Sequence, residues 1–472
     1  MDHALEARVD SWIEQNWPAI AADIAQLVGI PSTESPEEAA EGAPFGPGPR
    51  EALSAALAIG QRMGLETKDL EGYAGYAQLP GDSETQVGII GHVDVVPAGP
   101  GWDSDPFAMQ EKDGYLVGRG VIDDKGPILC ALHAVRFWKE RLEAEGRRFP
   151  YTLRVIFGAN EETGMGDVEH YRSVEADPAF LFTPDAEFPV CHGEKGLWGG
   201  WLHSPLIENG ALVAFEGGVA ANAVPGQAWA VVRTATPASE APKASHITVI
   251  QEGYGQLRIE AAGKSAHGST PEKGESAIGF LAEYLTEAGW CTPTEERFLH
   301  LACCIAQDWR GADLGLACED DDFGPLTIAG GLMNLEGGRL HQTFDVRFPT
   351  ATTADALLEA LHKVIDPAGV TVDIVKAVEP FLIQQDSPEV KALIQVYNEV
   401  TGESARSFTM GGATYAREFS RAVSFGVEKP WEEMPAWAGG MHGPNEAVSV
   451  SLLKQAVKIY ILAINRLMQL EL

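Results

Sequence analysis

Short apolar runs that end in imidazole or carboxylate residues constrain the fold of this 472-residue chain more than any other sequence feature. Val87-Gly88-Ile89-Ile90 leads into Gly91-His92-Val93-Asp94, and the apolar residues 151–157 are followed by Glu161 and Glu162. Runs of this length are typical of buried strands, and open α/β sheets build their sites at the carboxyl ends of such strands. A histidine with carboxylates at this position favours a metal site.

Helical patterns alternate with the apolar runs. Apolar spacing predicts helices over residues 4–28, 50–64, 124–145, 388–401 and 449–470. Pro18 is expected to kink or divide the first of them. Alternation of strands and helices predicts an α/β fold, with a mostly parallel sheet that is flanked by helices on both faces.

The middle of the chain has a different character from its ends. After Cys191, glycines punctuate short alternating segments, residues 326–348 predict a hairpin across 336–339, and residues 276–288 predict a helix, which together indicate an α+β region. The length also exceeds that of one usual domain. We therefore expect residues 1–196 and 380–472 to form a catalytic domain, and residues 197–379 to form an inserted α+β domain.

Charge and composition restrict the partners of the protein. The formal net charge is −34, which disfavours nucleic acid and anionic membrane surfaces as partners. No apolar run is long enough to span a bilayer, and residues 1–8 lack the features of a signal peptide. The six cysteines form no CxxC pair, so we expect reduced thiols and a cytoplasmic location.

Seven acidic and imidazole residues lie at predicted element boundaries, each with glycine or proline nearby. Such turns let the backbone approach a small site closely. Any one of these residues alone would be interpreted as a surface acid or a loop histidine, whereas the set is hard to explain in that way. The seven are His92, Asp94, Asp123, Glu161, Glu162, Asp185 and His442.

The order of these motifs resembles metallopeptidase family M20 and, within it, the PepV-type dipeptidases that act on Xaa-His or β-alanyl dipeptides. The resemblance covers nearly the full length of the chain. The matching segments are Gly91-His92-Val93-Asp94, the turn from Gly118 to Gly126 with Asp123, Glu161-Glu162, Thr183-Pro184-Asp185 and Met441-His442-Gly443-Pro444-Asn445-Glu446.

The resemblance implies a site for two metal ions bridged by Asp123. His92 and Asp185 would complete one site, and Glu162 and His442 the other. Mixed carboxylate and imidazole ligands suit two Zn²⁺ ions, and the same ligands accept Mn²⁺ or Co²⁺.

Two further residues receive roles around these ligands. The resemblance implies that Glu161 is the general base, because adjacent residues point in different directions and leave Glu161 outside the ligand set. Asp94 is expected to accept a hydrogen bond from the second ring nitrogen of His92 and to fix its tautomer. In the family the peptide bond after the bridging aspartate is commonly cis, which here is Asp123-Asp124.

The resemblance places further residues on a lid over the metal site. His267 would stabilise the oxyanion, and Asn222 and Arg347 would hold the terminal carboxylate of the substrate. Alternatively, Arg347 forms a structural salt bridge and Asn222 serves a turn. Backbone amides of a loop near the carboxylate pocket can bind an anion, and we expect it to contribute Gly411, Gly412 and Thr414.

The predicted activity is hydrolysis of dipeptides by a metal-bridging hydroxide, with Glu161 as base and His267 as oxyanion stabiliser. The nearest alternative is an N-acyl amino acid deacylase of the same family, either a deacetylase or a desuccinylase. A non-catalytic metal-binding or peptide-binding protein is a further alternative. The long middle region predicts a monomer, because one chain then carries both the metal site and its own lid.

Overall fold

The computed structural model describes residues 3–472, so the first two residues of the N-terminal segment considered above lie outside it. No helix within this range is both long and apolar enough to cross a bilayer. The α-helices of the described chain are α1 His3–Val28, α2 Pro47–Arg62, α3 Lys125–Glu145, α4 Gly166–Val174, α5 Ala277–Glu287, α6 Pro293–Gln307, α7 Ala354–Ile365, α8 Pro388–Thr401 and α9 Val450–Leu467.

The chain also forms short β-strands, most of which are three to eight residues long. They are β1 Glu66–Leu70, β2 Ala74–Leu79, β3 Gln86–His92, β4 Gln110–Lys112, β5 Tyr115–Val117, β6 Thr152–Gly158, β7 Phe180–Thr183, β8 Cys191–Glu194, β9 Gly196–His203, β10 Leu212–Gly217, β11 Ala223–Val224, β12 Gln227–Arg233, β13 Ile247–Gly253, β14 Gln256–Ala262, β15 Ala266–His267, β16 Glu319–Asp320, β17 Gly324–Pro325, β18 Thr327–Ala329, β19 Met333–Glu336, β20 Arg339–Phe348, β21 Thr371–Val378, β22 Phe381–Leu382, β23 Phe408–Met410, β24 Ala422–Ser424 and β25 Ala447–Ser449.

The chain divides into two compact units. The first contains the residues up to Gly193 together with Leu382–Phe408 and Ala413–Leu472, and the second contains Glu194–Phe381 and Thr409–Gly412. The sequence had assigned the segment Thr409–Gly412 to the first domain. Hydrogen bonds account for its place in the second unit, because the amide of Lys195 donates to the carbonyl of Met410 at 2.9 Å.

The first unit is built on a sheet with the order β1-β2-β6-β3-β7-β24-β8. Its centre is parallel, because β3 pairs with β6 and β7 in parallel and β24 pairs with β7 in parallel. Strands β3 and β6 are buried along nearly their whole length, which suits the covered centre of such a sheet. The carboxyl ends of β3, β6 and β7 therefore lie together at one edge.

Helices α1, α3 and α9 contribute to the hydrophobic core of the first unit. Helix α1 continues through Pro18 without division, so the proline does not end the helix as the sequence allowed. Helices α3 and α9 are also linked by the side chain of Trp138, whose indole N–H donates to the carbonyl oxygen of Ile461 at 2.8 Å.

The second unit has a separate core and an antiparallel sheet with the order β13-β14-β12-β10-β19-β20-β9-β21. Helices α5 and α6 supply much of that core. Helix α6 was not predicted, although Thr292 and Glu295 form a capping box at its start and are a sequence signal for it. The hairpin of β19 and β20 turns at residues 336–339 as expected.

Gly426, which follows β24, lies close to the turn after β7. A Cβ atom at Gly426 would lie 1.8 Å from the carbonyl oxygen of Ala186, next to Asp185. The neighbouring residue Phe425 donates its amide to the carbonyl of Thr183 at 2.8 Å. The segment after β24 therefore lies directly against the turn that carries Asp185.

We predict that Gly426→Ala lowers the unfolding midpoint, at a cost of about 1–3 kcal/mol, because the added methyl forces two backbone segments apart. Thermal unfolding followed by circular dichroism measures the shift. Gly164→Ala is the matched control, because the nearest atom to its Cβ would be 3.7 Å away. Equal midpoints for the two variants would contradict the close approach.

Candidate metal centre

His92 lies at the end of β3 and its side chain is completely buried. The ring atom Nε2 lies 2.9 Å from Oδ1 of Asp123 and 3.7 Å from Oδ2 of Asp185. The other ring atom, Nδ1, lies 3.0 Å from the backbone carbonyl of Asp94 and 3.4 Å from its carboxylate. The imidazole is therefore oriented from one side and directed at two carboxylates from the other.

Asp123 precedes α3 and stands between two imidazoles. Its Oδ1 faces His92, and its Oδ2 lies 2.9 Å from Nε2 of His442. The peptide bond that joins Asp123 to Asp124 is cis. Asp124 is buried and accepts a hydrogen bond from the amide of His92 at 3.1 Å, which connects the turn before α3 to the end of β3.

Asp94 supports the residues that follow β6. Its two carboxylate oxygens accept the amides of Glu161 and Glu162, each at 3.2 Å. The sequence had assigned Asp94 to the ring of His92, but the nearer acceptor for that ring is the backbone carbonyl of Asp94. The carboxylate of Asp94 thus positions the Glu161-Glu162 pair, because one anion satisfies two consecutive backbone amides.

His442 belongs to the loop before β25 and has a positive φ of 61°. Its Nε2 also lies 3.1 Å from Oε2 of Glu162. A buried ion pair anchors this loop, since Nη1 of Arg119 lies 2.6 Å from Glu446, which also accepts the amides of Gly120 and Ile122. Nη2 of Arg119 donates to the carbonyl of His442 at 3.2 Å.

Five side chains form two groups of three that share Asp123. The atoms of each group that can bind a metal lie within 4.8 Å of one another, and the groups are His92, Asp123 and Asp185, and Asp123, Glu162 and His442. Oε1 of Glu162 is buried and has no hydrogen-bond partner. This orphaned oxygen and the mixed imidazole and carboxylate donors fit two divalent ions of the Zn²⁺, Mn²⁺ or Co²⁺ class.

Burial and neighbouring carboxylates raise the pKa of several acids at the centre. Burial, and next to it repulsion by the carboxylate of Asp185, raises the pKa of Glu161 well above its usual range. Burial and Asp123 raise the pKa of Asp185 to about 7. Hydrogen bonds to Asp123 and Glu162 raise the pKa of His442 to about 11. This excess of negative charge is what bound cations would relieve.

The second unit brings most of the expected lid residues together. The amide of Gly268 donates to the carbonyl of Asn222 at 2.7 Å, and Nδ1 of His267 lies 2.7 Å from the hydroxyl of Ser269. A Cβ atom at Gly411 would lie 3.0 Å from the Cβ of Ser269. Asn222 and His267 are both exposed; His267 lies on β15, which pairs antiparallel with β11, and Asn222 directly precedes β11.

Arg347 joins the same cluster from β20. Its Nε and Nη2 donate to one oxygen of Asp345 at 3.0 and 2.9 Å, and its Nη1 donates to the carbonyl of Gly411 at 3.1 Å. The salt bridge that the sequence left open is therefore present. Next to Gly411, a Cβ atom at Gly412 would approach only the side chain of Met410, at 3.6 Å.

Thr414 lies in the first unit and is buried. Its hydroxyl lies 3.0 Å from that of Ser424 and accepts the amide of Ala416 at 3.1 Å, which begins a short 3-10 helix. The structure therefore gives the Thr414 side chain a capping position.

No role was predicted for Arg119 or Glu446, although both lie within the ligand motifs. Asp167 was also not predicted; it is buried, accepts the amides of Ala159 and Asn160 at 2.6 and 2.8 Å, and accepts a hydrogen bond from the hydroxyl of Tyr415. Their positions beside Asp123 and His442 in the sequence could have indicated a role for Arg119 and Glu446. Asp167 had no such signal, because it begins an ordinary amphipathic helix, α4.

Comparison with known proteins places this geometry in a family. The profile of peptidase family M20/M25/M40 matches residues 88–466. A Beta-Ala-Xaa dipeptidase of Lactobacillus delbrueckii subsp. lactis is 32% identical over 466 residues, which cover 95% of this chain and 96% of the relative. The chain belongs to peptidase family M20/M25/M40.

Solved structures show the same fold. The di-peptidase Dug1p of Saccharomyces cerevisiae superposes with a TM-score of 0.59 at 15% identity and full coverage of both chains. A Bacillus subtilis protein described as a dinuclear metal binding peptidase of the M20 family superposes with a TM-score of 0.51 at 11% identity, covering 95% of this chain and 97% of that one. The predicted family, fold class and enzyme class, a metal-dependent dipeptidase, are confirmed. The deacylase alternative is not favoured.

We predict that Glu446→Gln destabilises the first unit by about 3–5 kcal/mol, because it leaves the charge of Arg119 buried without its partner. The variant should also bind less metal, since the loop of His442 loses its anchor. Urea unfolding and elemental analysis measure the two effects. Glu140→Gln removes the exposed partner of Arg136 and should cost at most about 1 kcal/mol; a similar cost in both variants would contradict the anchoring role.

Metal loading should release protons. His442, with a pKa of about 11 in the metal-free chain, is protonated at neutral pH, whereas a ligating imidazole must be neutral. We expect at least about one proton per chain to leave near pH 7, and metal affinity to increase with pH. Calorimetry in buffers of different ionisation enthalpy measures the release. His442→Ala should release fewer protons, and heats that are independent of the buffer would contradict this expectation.

Proposed function

We propose that this chain hydrolyses dipeptides, with β-alanyl dipeptides among its substrates, at a centre held by five ligands of the first unit. The observation that carries the proposal is the carboxylate of Asp123, which stands 2.9 Å from an imidazole nitrogen on each side. The ligands proposed are His92, Asp123, Glu162, Asp185 and His442. The name of the β-Ala-Xaa relative supports the substrate class.

Two Zn²⁺ ions, or Mn²⁺ or Co²⁺ in their place, would polarise the scissile carbonyl and lower the pKa of water when bound. In our proposal, Glu161 takes a proton from the attacking water and passes it to the leaving amine. Two features support this role: Asp94 holds the amide of Glu161, and the side chain of Glu161 belongs to neither ligand group.

The cluster of the second unit is proposed to recognise the rest of the substrate. Arg347 is proposed to bind the terminal carboxylate by forked hydrogen bonds, and its place beside the loop of Gly411, whose carbonyl accepts from Nη1, supports this role. We assign the same carboxylate to Asn222 and to the loop with Gly411 and Gly412. Thr414 is proposed to support this loop, and exposed His267 is proposed to stabilise the oxyanion.

A variant of Glu161 tests the general base, and it is assayed with a panel of substrates that tests the substrate class. Glu161→Gln should lower kcat by about 10²–10⁴-fold, because proton transfer is lost, while elemental analysis finds the metal content unchanged. Glu169→Gln is the control, because this exposed residue lies on α4 and makes no contact with the ligands. Unchanged turnover in Glu161→Gln with metal bound would remove Glu161 from the mechanism.

The substrates are Ala-Ala, β-alanyl-histidine and an N-acetyl amino acid. Release from the acetylated compound alone would replace the dipeptidase with a deacylase. Mixing Glu161→Gln chains with His267→Ala chains should restore no activity, because in a monomer both residues act within one chain. Recovery of activity in the mixture would show instead that two chains share a site.

A further inference from the structure

A second histidine cluster lies in the second unit, apart from the residues assigned to catalysis. His203 ends β9 and stands directly opposite His341 of β20 in the antiparallel pairing. Their Nδ1 atoms are 2.5 Å apart, and the ring planes make an angle of 71°. Both side chains are partly exposed, whereas the alternate residues Leu202 and Leu340 are buried in the core. The pair therefore lies on the sheet face away from that core.

The outer contacts determine the tautomer of each ring. Nε2 of His203 lies 3.1 Å from a carboxylate oxygen of Asp373 on β21, and Nε2 of His341 lies 3.2 Å from the carbonyl oxygen of Glu336. An ionised carboxylate and a carbonyl only accept, so both Nε2 atoms must carry hydrogen. A neutral imidazole has one N–H, so both Nδ1 atoms present lone pairs to each other. Two lone pairs at 2.5 Å repel unless a cation lies between them.

A third possible metal ligand lies opposite His341 in the sheet. Asn334 of β19 is directly opposite His341, so its side chain projects from the same face. Its Oδ1 is buried and has no hydrogen-bond partner. Opposite residues in antiparallel strands have Cβ atoms about 4.5–5.5 Å apart, which places this oxygen within reach of an ion bound to His341.

We infer that His203 and His341 bind a divalent transition metal ion of the Zn²⁺, Ni²⁺ or Cu²⁺ class through their Nδ1 atoms, with Asn334 as a further oxygen ligand. Hydrogen bonds from ligating histidines to a carboxylate or a carbonyl are the arrangement that orients imidazole toward metals. Metal–nitrogen distances of about 2.0–2.1 Å need the two nitrogens to separate to about 3.3 Å, which small side-chain rotations supply. The ion would cross-link β9 and β20.

This site is distinct from the centre of the first unit, because every residue in it belongs to the second unit. It is also distinct from the proposed carboxylate cluster. His341 and Arg347 are six residues apart on β20, which corresponds to about 20 Å along a strand. Occupancy of the histidine pair can therefore be measured without substrate and independently of turnover.

The test counts metal on the untagged full chain. Zn²⁺-loaded protein, freed of loosely bound ions by gel filtration, should hold three equivalents by elemental analysis. His341→Ala and His203→Gln should each hold two and keep their dipeptidase activity. His362→Ala is the control, because this exposed histidine on α7 faces Asp366 and no second imidazole. Asp373→Asn should weaken binding of the third ion by about tenfold or more.

A second variant separates this site from the proposed function. Asp123→Asn removes the shared ligand of the first unit and should leave one Zn²⁺ equivalent, whether or not the chain is a dipeptidase. Cu²⁺ added to that variant should give an electron paramagnetic resonance spectrum with nitrogen couplings that His341→Ala abolishes. A wild-type chain that stops at two equivalents would overturn the inference, as would an additional ion retained in both histidine variants. Two Zn²⁺ equivalents in the wild-type chain would mean that His203 and His341 share a proton and bind no metal ion.

Discussion

The constraint on which the first unit depends is the concentration of carboxylates at one buried sheet edge. Asp123, Glu161, Glu162 and Asp185 repel one another there, and burial and this repulsion raise the pKa of the last three. A fold that brings these side chains together must hold them by contacts from the surrounding turns. Backbone and side-chain contacts do so for the turns that carry His92, Asp123, Glu162 and His442.

Three ties accomplish this. Asp94 accepts the amides of Glu161 and Glu162 and so joins the ends of β3 and β6. Asp124 accepts the amide of His92 and joins the start of α3 to β3. The buried pair of Arg119 and Glu446 joins the turn of Asp123 to the loop of His442. Without any one of these contacts, repulsion among the carboxylates would move the ligand side chains apart.

The charged side chains of the second unit are arranged differently. Its cluster contains one buried guanidinium that is matched by one carboxylate, whereas Asn222 and His267 are exposed. The paired histidines on the same sheet lie where a bound ion would stiffen two strands, about 20 Å along β20 from Arg347.

Much of the fold was predictable, because its signals are local. Apolar runs at β3 and β6 and helical spacing at α3, α8 and α9 depend on neighbouring residues, and the structure has these elements within a few residues of the predicted bounds. Helix α6 was missed although its capping box is visible in the sequence. The sequence pattern also did not decide that α1 continues through Pro18.

The sequence alone indicated the candidate residues for the chemistry, because histidines and acids next to glycine at strand ends are recognisable one motif at a time. Only the tertiary structure decided how they are held. The contact between Arg119 and Glu446 spans 327 positions, and that between His203 and His341 spans 138. No local pattern encodes such pairings, because they arise when separate strands and loops pack side by side. For the same reason, the second histidine cluster became visible only after β9 and β20 were paired.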